Sequence, residues 1–392
     1  MKICLVERGL LSTRTTGPSK HISQLSQALA SSGHDVIVVC EMQNEARSLK
    51  QVPSHSGALN PNVVQLGGIG HGHQTILRGI VKLIRDEQPD VVHAQGYRNP
   101  TTDMAAFSSQ VNDIPFVLSP RGSFSTYLKG ETDTMTQVAA RMYDLLTLKM
   151  TLRRTQSVIA TSRSEMQEAL DMGLDSGTVH LIPHGMVPPK IPSEKLSLDG
   201  QPRLLTVSRI TPHRNISDIL RSMRLIVKEF PRAILYVAGD PIPTSYDSRE
   251  KKYMAEIARL ANDEHVRNNI RLLGGIYGEQ LWRLYASCDA FLYASSYDNF
   301  GFALLEAAYF GLPLASTDVG IASDLIRDGA GGILLHDHRP ESIADATIKI
   351  IRNPNDSKRM SQNVREYAKD YTIEKNVAAH ISMYKRLVGH GT

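Results

Sequence analysis

The sequence predicts an α/β protein made of two doubly wound, Rossmann-like halves. The chain has 392 residues, a length that favours two domains over one. Short apolar runs typical of buried strands alternate with amphipathic stretches typical of helices, which implies βαβ units and parallel sheets. The alternation stops once, in a proline-rich stretch over residues 183–202, and then restarts.

In the first half, the helix predicted over 19–32 has Ile22, Leu25 and Leu29 on one face and ends before Gly33. Apolar runs predict the strands, and apolar periodicity predicts two further helices. The strands are expected at 2–6, 35–40, 90–94, 114–119, 157–161 and 178–182, and the other helices at 76–86 and 138–154.

The stretch 183–202 has few apolar anchors and five prolines, which is typical of a linker: Pro183, Pro188, Pro189, Pro192 and Pro202. The second half then begins with a strand and a helix over 216–230, for which Asn215 is the predicted N-cap. Its strands are expected at 204–207, 234–238, 270–273, 290–294, 313–316 and 332–335. We therefore expect a first domain over 1–187, a linker over 188–202 and a second domain over 203–370.

Composition narrows the functional classes. A net charge of +4 and a pI near 8.8 are too weakly basic to indicate nucleic acid, but they allow loose contact with an anionic membrane. The three cysteines lack metal-type spacing, and no apolar run is long enough to span a bilayer. We expect a cytoplasmic protein, with a place at the inner face of the membrane left open. The sequence holds no Asp-x-Asp motif, so a divalent metal is not indicated.

Two arginines, Arg209 and Arg214, follow the strand 204–207 in the loop before a helix. Guanidinium groups bind oxyanions through planar, paired hydrogen bonds, so two of them suit a diphosphate. An equally good interpretation of the pair alone is two solvated side chains near a helix start.

Two carboxylates, Asp298 and Glu306, lie eight residues apart around the turn at Gly301, which opens a helix. Glu306 stands in an almost wholly apolar segment, 303–310, where a carboxylate needs a partner. A hydroxyl of a bound ligand or a buried salt bridge would supply that partner. Because ligands bind at the carboxyl ends of parallel strands, these loops should converge, and together they fit a nucleoside-diphosphate sugar.

The segment 295–313, Ser-Ser-Tyr-Asp-Asn-Phe-Gly-Phe-Ala-Leu-Leu-Glu-Ala-Ala-Tyr-Phe-Gly-Leu-Pro, resembles the Glu-x7-Glu signature of retaining GT-B glycosyltransferases of family four. The loop 208–215 resembles that family's Arg-x4-Lys diphosphate clamp, and Thr16-Gly17 its first loop. The resemblance covers essentially the whole chain. It implies GT-B architecture, two doubly wound Rossmann-like domains facing across a cleft, with a C-terminal helix over 371–392 packing on the first.

The resemblance also implies a role for each matching residue. Arg209 and Arg214 would grip the donor diphosphate, Asp298 a hydroxyl of the donor sugar, and Glu306 the ribose. Backbone amides of Phe300, Gly301 and Phe302 would face sugar and phosphate, Gly274 would border the base, and Gly17 would let the first loop approach the diphosphate. Asp298 stands where Glu is usual and Arg214 where Lys is usual, which puts the identity of the sugar in doubt.

The first half matches less closely. The stretch 89–96 resembles a family strand that ends in His-x-His, with Gln95 in place of the second His. We include His93 in the catalytic set, with Asp298, Arg209 and Arg214, as a contact to the sugar, although a structural histidine is the common alternative. Arg121, after the strand 114–119, could bind acceptor or phosphate or could brace its loop.

The function implied is transfer of a sugar from a nucleoside diphosphate to an acceptor hydroxyl, with retention of anomeric configuration. UDP-sugars are favoured over GDP-sugars as donor, and we expect no bound cofactor and no metal. Two alternatives stay open: a sugar-nucleotide epimerase of the same fold, and a non-catalytic protein that binds sugar nucleotides. The base, the sugar, the acceptor and the oligomeric state are not determined by the sequence.

Overall fold

The structure is a computed structural model that describes residues 1–7, 17–41, 60–70, 75–124, 134–147, 149–240 and 248–389. The chain divides into two compact units. Unit 1 comprises Met1–Val187 together with Tyr371–Thr392, and unit 2 comprises Pro188–Asp370.

Unit 1 is built on a seven-stranded sheet in the order β3-β2-β1-β6-β7-β8-β9, in which every pairing is parallel. Its strands are β1 (Lys2–Val6), β2 (Asp35–Glu41), β3 (Asn62–Leu66), β6 (Val91–Gln95), β7 (Phe116–Ser119), β8 (Ser157–Ala160) and β9 (Val179–Leu181). A separate antiparallel pair is formed by β4 (Gly68–Ile69) and β5 (Ile76–Leu77). The helices are α1 (Gly17–Ser31), α2 (Ile80–Glu87), α3 (Pro100–Val111), α4 (Thr134–Leu146), α5 (Met150–Arg154), α6 (Arg163–Asp171) and, from the end of the chain, α14 (Ile373–Gly389).

Unit 2 repeats the plan with a six-stranded parallel sheet in the order β12-β11-β10-β13-β14-β15. Its strands are β10 (Arg203–Val207), β11 (Ile234–Ala238), β12 (Ile270–Gly274), β13 (Ala290–Tyr293), β14 (Leu314–Thr317) and β15 (Gly332–Leu335). Its helices are α7 (Ile216–Glu229), α8 (Ser248–Ala261), α9 (Gly278–Ser287), α10 (Phe302–Tyr309), α11 (Ala322–Ile326), α12 (Pro340–Arg352) and α13 (Pro354–Ala368).

The central strands are apolar on both faces because helices cover both sides of each sheet. In β1, Cys4 and Val6 point into one core and Ile3 and Leu5 into the other, and all four are buried. Alternation of side chains across a strand therefore feeds two cores from one short apolar run.

Strand order reverses between β1 and β6 in unit 1 and between β10 and β13 in unit 2. In doubly wound sheets, ligands bind beside such a reversal, at the carboxyl ends of the strands. The loops after β1 and β6, and those after β10 and β13, are therefore the places where each unit can hold a ligand.

The structure confirms the predicted strands to within about two residues, and it corrects two helices. The helix predicted over 76–86 begins only at Ile80, because Ile76 and Leu77 pair with β4 and Gly79 adopts a left-handed φ of 84°. The helix predicted over 138–154 ends at Leu146 and resumes at Met150, after Lys149 with a left-handed φ of 52°. The Lys149 ammonium donates to the carbonyl of Met172 at 2.9 Å, which holds this break in place.

Candidate active site

The loop after β10 carries both arginines of the predicted clamp, but in different surroundings. Arg209 is exposed, whereas the Arg214 side chain is only 13% exposed. The amide of Ile210 donates to the carbonyl of Asp240 at 3.1 Å, which fixes the loop to the end of β11. Residues Pro212–Arg214 then form one turn of 3-10 helix that turns Arg214 inward.

Asn215 joins this loop to the one after β13. It stands at the N-cap position of α7 with a left-handed φ of 49°, but its side chain makes no capping hydrogen bond, so the predicted cap is wrong. Its amide group donates instead to the carbonyl of Ala294 at 2.8 Å and to the hydroxyl of Ser296 at 2.7 Å. The Ser296 amide returns a bond to the His213 carbonyl at 2.8 Å, so the two loops hold each other.

The two joined loops bring Arg214 against Asp298. Arg214 Nη1 lies 2.5 Å from Asp298 Oδ2, and both side chains are mostly buried, at 13% and 17% exposure. The Tyr293 hydroxyl, at the end of β13, donates to the same carboxylate oxygen and accepts from Arg214 Nη1. Arg214 Nε is buried and has no hydrogen-bond partner among the described residues.

Both members of this pair carry their charge. Burial raises the pKa of the Asp298 carboxyl, but the nearby Arg214 charge and the hydrogen bond from Tyr293 outweigh burial and leave that pKa below its ordinary value. Burial opposes the charge on Arg214, and the Asp298 carboxylate more than restores it, so the pKa of Arg214 lies above its ordinary value. The site thus presents a fixed ion pair at the reversal of strand order.

The second oxygen of Asp298 holds the turn that opens α10. Its Oδ1 accepts from the amides of Phe300 at 3.3 Å and Gly301 at 3.2 Å. These are two of the amides predicted to face the donor, and in this structure they donate to Asp298. Gly301 has a left-handed φ of 86°, and a Cβ at Gly320 would lie 2.2 Å from the Phe300 carbonyl oxygen. The turn is therefore fixed from both sides.

Glu306 lies on the second turn of α10 and is half-buried. Its Oε2 accepts a hydrogen bond of 3.1 Å from the hydroxyl of the fully buried Tyr285. Tyr285 stacks on Phe310 with ring centroids 5.6 Å apart and planes 3° apart, which fixes the hydroxyl. This bond supplies part of the stabilisation that a carboxylate needs in an apolar helix.

Glycines bring the loops after β10, β11 and β12 close together. A Cβ at Gly239 would lie 1.7 Å from the Ser208 carbonyl oxygen, and one at Gly275 would lie 1.9 Å from Asp240 Oδ2. The Asp240 carboxylate accepts from the Gly275 amide at 2.7 Å and from the Tyr277 hydroxyl at 3.2 Å. Gly274, predicted to border the base, starts this turn with φ of 69°.

Three of these site residues escaped the sequence reasoning: Tyr293, Asp240 and Tyr277. Asp240 had a usable signal, because it follows Gly239 directly at the end of a buried strand, where ligand-contacting residues collect. Tyr293 is the last residue of an apolar strand and nothing in its local pattern separates it from a core residue.

His93 lies in the middle of β6 rather than at its end, and it is 1% exposed. Its Nδ1 lies 2.6 Å from the Tyr384 hydroxyl on α14, and its Nε2 lies 2.8 Å from the Ser119 hydroxyl and 3.0 Å from Gln95 Nε2. The prediction that His93 lies at the end of its strand is wrong, whereas its role as a sugar contact stays a prediction. A sugar contact from His93 would require one of these hydrogen bonds to be exchanged.

Gly17 is the first residue of α1, and its neighbour Thr16 lies outside the described residues. Within the described part of the chain, no group of three or more His, Cys, Asp or Glu side chains is placed to hold a metal ion. No helix in that part combines the length and the apolar character needed to cross a membrane.

Several glycosyltransferases of known sequence or structure are similar to this chain. Glycogen synthase of Mycobacterium tuberculosis is 24% identical over 379 residues, which span 89% of this chain and 86% of the relative. Sucrose-phosphate synthase of Thermosynechococcus elongatus superimposes with a TM-score of 0.77 at 18% identity, covering 99% of both chains. Anabaena HepE, solved in complex with UDP-glucose, superimposes with a TM-score of 0.74 at 16% identity, covering 98% of this chain and 100% of HepE.

Two family models divide the chain at the same place as the two units. The model for glycosyltransferase family 4 matches residues 15–188, and the model for glycosyl transferases group 1 matches residues 189–367. Together they cover the second sheet, all of the first sheet except β1, and the segments that carry Arg209, Arg214, Asp298 and Glu306. The chain therefore belongs to the group 1 glycosyltransferases of family four and has the GT-B fold.

Proposed function

We propose that this glycosyltransferase takes its sugar from a nucleoside diphosphate and transfers it to an acceptor hydroxyl with retention of configuration. The observation that carries the proposal is the ion pair of Arg214 and Asp298 at the reversal of strand order in unit 2, with the exposed Arg209 on the same loop. HepE, which has the same fold, was solved with UDP-glucose, and this supports a UDP-sugar over a GDP-sugar here.

Arg209 and Arg214 bind the diphosphate in this mechanism. Negative charge grows on the diphosphate as the bond to the sugar breaks, and preorganised cations stabilise that charge more than they stabilise the bound donor. The N-terminus of α10 adds a positive dipole end, to which Gly301 and Phe302 belong. Gly274 borders the base in the same proposal, and Gly17 stays a predicted contact to the diphosphate.

Asp298 has two tasks in the proposal. It holds Arg214 through the 2.5 Å ion pair, and it contacts a hydroxyl of the sugar that is transferred. Glu306 binds the ribose, where the hydrogen bond from Tyr285 orients its carboxylate. His93 stays a predicted sugar contact, and its burial makes it the weakest member of the set.

For the chemical step we propose attack by the acceptor on the same face that the diphosphate leaves, with a diphosphate oxygen taking the hydroxyl proton. The diphosphate is the strongest base that the proposal places beside the acceptor. This route needs no protein nucleophile.

The test is a panel of UDP-, GDP-, ADP- and dTDP-sugars, in which diphosphate release is followed with and without a hydroxyl acceptor. We expect release that depends on acceptor, and a product whose anomeric configuration in NMR matches that of the donor. Inverted product would contradict retention. Release without acceptor, or a donor sugar that changes configuration without transfer, would favour an epimerase.

A thermal-shift panel identifies the base independently of turnover. A ligand at a hundred times its Kd stabilises the native state by about 2.7 kcal/mol, so the preferred diphosphate should raise Tm most. Arg209→Ala is the matched control, because Arg209 is exposed and its loss should remove the shift while leaving the fold intact.

A further inference from the structure

A mostly buried arginine in unit 1, Arg121, has two hydrogen-bond donors without a partner in the part of the chain that the structure describes. It follows β7, and its Nη1 lies 2.5 Å from Glu7 Oε2 in the loop after β1. Its Nε and Nη2 are buried and have no hydrogen-bond partner among the described residues. Buried polar groups without partners are uncommon in native proteins and carry a cost of about 1–3 kcal/mol each.

A second arginine of the same unit, Arg98, has hydrogen-bond partners for all three nitrogens of its guanidinium group. Arg98 is as buried as Arg121, with 13% against 12% of the side chain exposed, and it also pairs with a carboxylate. Its Nε and Nη2 bond Asp144 at 3.1 and 2.7 Å, and its Nη1 bonds the carbonyl of Phe124 at 2.8 Å. Arg98 is therefore a structural arginine. In Arg121, by contrast, Nε and Nη2 have no hydrogen-bond partner among the described residues.

The loop that presents Arg121 is held firmly. Arg121 adopts a left-handed φ of 54°, and the amide of the next residue, Gly122, donates to Glu165 Oε1 at 2.6 Å. The other oxygen of that buried carboxylate accepts from the amide and the hydroxyl of Thr161 at 2.7 and 2.8 Å. A residue kept in a strained conformation by surrounding bonds is typical of a ligand-binding position.

Besides the Glu7 carboxylate, neutral histidines lie within electrostatic reach of Arg121. Four buried histidines, contributed by α1, β6, the segment after β9 and α14, form a cluster in the same unit: His21, His93, His184 and His380. The rings of His21 and His184 are 4.0 Å apart, and those of His93 and His380 are 5.7 Å apart. Burial first, and the Arg121 charge among the further causes, lower the pKa of His21, His93 and His184 well below the ordinary value, so they are neutral.

We propose that the two donors of Arg121 that have no partner among the described residues bind an oxyanion, a carboxylate or phosphate group carried by a sugar substrate, at the carboxyl edge of the unit 1 sheet, between the loops after β1 and β7. A guanidinium fork matches the two oxygens of such a group, and neutral imidazoles add no competing anion. Glu7 occupies one Nη1 bond and leaves the rest of the fork available. That the anion belongs to a sugar substrate rests on the proposed function; that the protein binds an oxyanion here does not.

The experiment titrates the full-length protein, with unit 2 saturated by UDP, against inorganic phosphate, glucose 6-phosphate, glucuronate and uncharged glucose. We expect the anionic probes to bind more tightly than glucose. Losing a charge-assisted contact should weaken them roughly ten- to a hundredfold in Arg121→Gln. Arg98→Gln removes an equally buried arginine and should leave anion affinity unchanged. Equal affinity for glucose and its charged analogues, or unchanged anion affinity in Arg121→Gln, would overturn the proposal.

Glu7→Gln distinguishes an arginine that binds an anion from an ion pair that only stabilises its loop. It tests the proposal even if Arg121→Gln does not fold. Removing the carboxylate that competes for Arg121 should tighten anion binding by about tenfold. Unchanged or weaker binding means that the pair only braces the loop, and overturns the proposal. Transfer assays then locate the anion: an Arg121→Gln effect confined to UDP-glucuronate places it on the donor sugar, and one confined to the KM of a phosphorylated acceptor places it on the acceptor. Absent UDP binding would instead count against the proposed function.

Discussion

Each unit places an arginine–carboxylate pair at the carboxyl ends of its parallel strands, but the two pairs are stabilised by different means. In unit 2, Arg214 and Asp298 are bound into a network with the Tyr293 hydroxyl and the turn that opens α10. In unit 1, Arg121 and Glu7 meet through one 2.5 Å contact beside four neutral histidines. The unit 2 pair joins the loops after β10 and β13, where the order of strands reverses, whereas the unit 1 pair joins the loops after β1 and β7, on either side of the loop after β6.

The two pairs differ in how many hydrogen bonds hold the arginine, and this difference suits them to different kinds of ligand. An ion pair held by further hydrogen bonds is preorganised for a ligand of constant charge, since little rearrangement is needed when charge develops. An under-bonded arginine among neutral imidazoles can accept ligands of different shape, because it offers donors without a fixed partner. On this contrast, unit 2 suits a ligand group of constant charge, and unit 1 suits anionic groups of different shape.

Lowering the pH should destabilise unit 1 much more than unit 2, and this is the largest difference that we expect between the units. The buried histidines have folded pKa values below their ordinary 6.5, about 4 for His380, so unfolding takes up protons below pH 6.5. Stability is therefore complete above that pH and falls by about 1.4 kcal/mol per pH unit for each such histidine as pH drops. Between pH 6.5 and 5, His380 should cost unit 1 about 2 kcal/mol, and the lowered pKa values of the other three histidines act in the same direction. The depressed pKa of Asp298 predicts loss in unit 2 only below about pH 4.

Urea unfolding at pH 7.5 and pH 5.0 checks this, because the chain has a single tryptophan, Trp282, which lies in α9 of unit 2. Its fluorescence follows unit 2, while circular dichroism follows both. We expect the dichroism to show an early transition at pH 5.0 that the fluorescence does not. His380→Gln should recover about 2 kcal/mol of that loss. A tryptophan transition that shifts as far as the early one would contradict the contrast between the units.

Replacing each arginine of unit 2 separates binding from folding. Arg214→Ala leaves Asp298 buried without its counter-charge, which should destabilise unit 2 by about 3–5 kcal/mol and abolish turnover. Arg209→Ala removes an exposed side chain, so stability should change by no more than about 0.5 kcal/mol while UDP affinity falls about ten- to a hundredfold. Calorimetry of unfolding and titration with UDP measure the two effects. Equal destabilisation by both variants would contradict the view that Arg214 contributes to folding as well as binding, whereas Arg209 contributes to binding alone.

Local sequence patterns predicted the sheets and the edge where the site lies, but not its contacts. Short apolar runs located the strands, and the rule for parallel sheets placed Arg214 and Asp298 on one edge. Their direct pairing joins residues 84 apart in sequence, and the bond from His93 to Tyr384 spans 291 residues. Asn215 was predicted as a cap from its neighbours alone, and a distant carbonyl, that of Ala294, took its amide instead. Side-chain pairing across loops depends on the folded geometry, which periodicity does not encode.

Replacing Asp298 and replacing Glu306 should have different effects on UDP binding and turnover, which tests the separate roles proposed for these two residues of unit 2. Asp298→Asn keeps an acceptor for the Phe300 and Gly301 amides but loses the charge that holds Arg214. Arg214 itself is kept and loses the carboxylate that competes with a diphosphate for its donors, so free UDP should still bind nearly as before, whereas kcat should fall and discrimination among donor sugars should weaken. Glu306→Gln removes a ribose contact common to UDP and donor, so both should bind more weakly, by about 1 kcal/mol. If Asp298→Asn abolishes UDP binding and Glu306→Gln does not, the two assignments are reversed.

The smallest effect is expected from chelation, and it tests whether the side chains of unit 2 carry the positive charge of the reaction on their own. The diphosphate would be stabilised by Arg209, by Arg214 and by the N-terminus of α10, and the sequence has no Asp-x-Asp motif to anchor a bridging metal. Turnover measured after dialysis against EDTA should stay within about twofold of the untreated enzyme. Arg209→Ala is the informative companion: with one cation missing, added magnesium should restore part of its activity, because a divalent ion can replace lost charge at the diphosphate. Complete loss of wild-type turnover in EDTA, reversed by magnesium or manganese, would mean that the arginines position a metal complex rather than replace it.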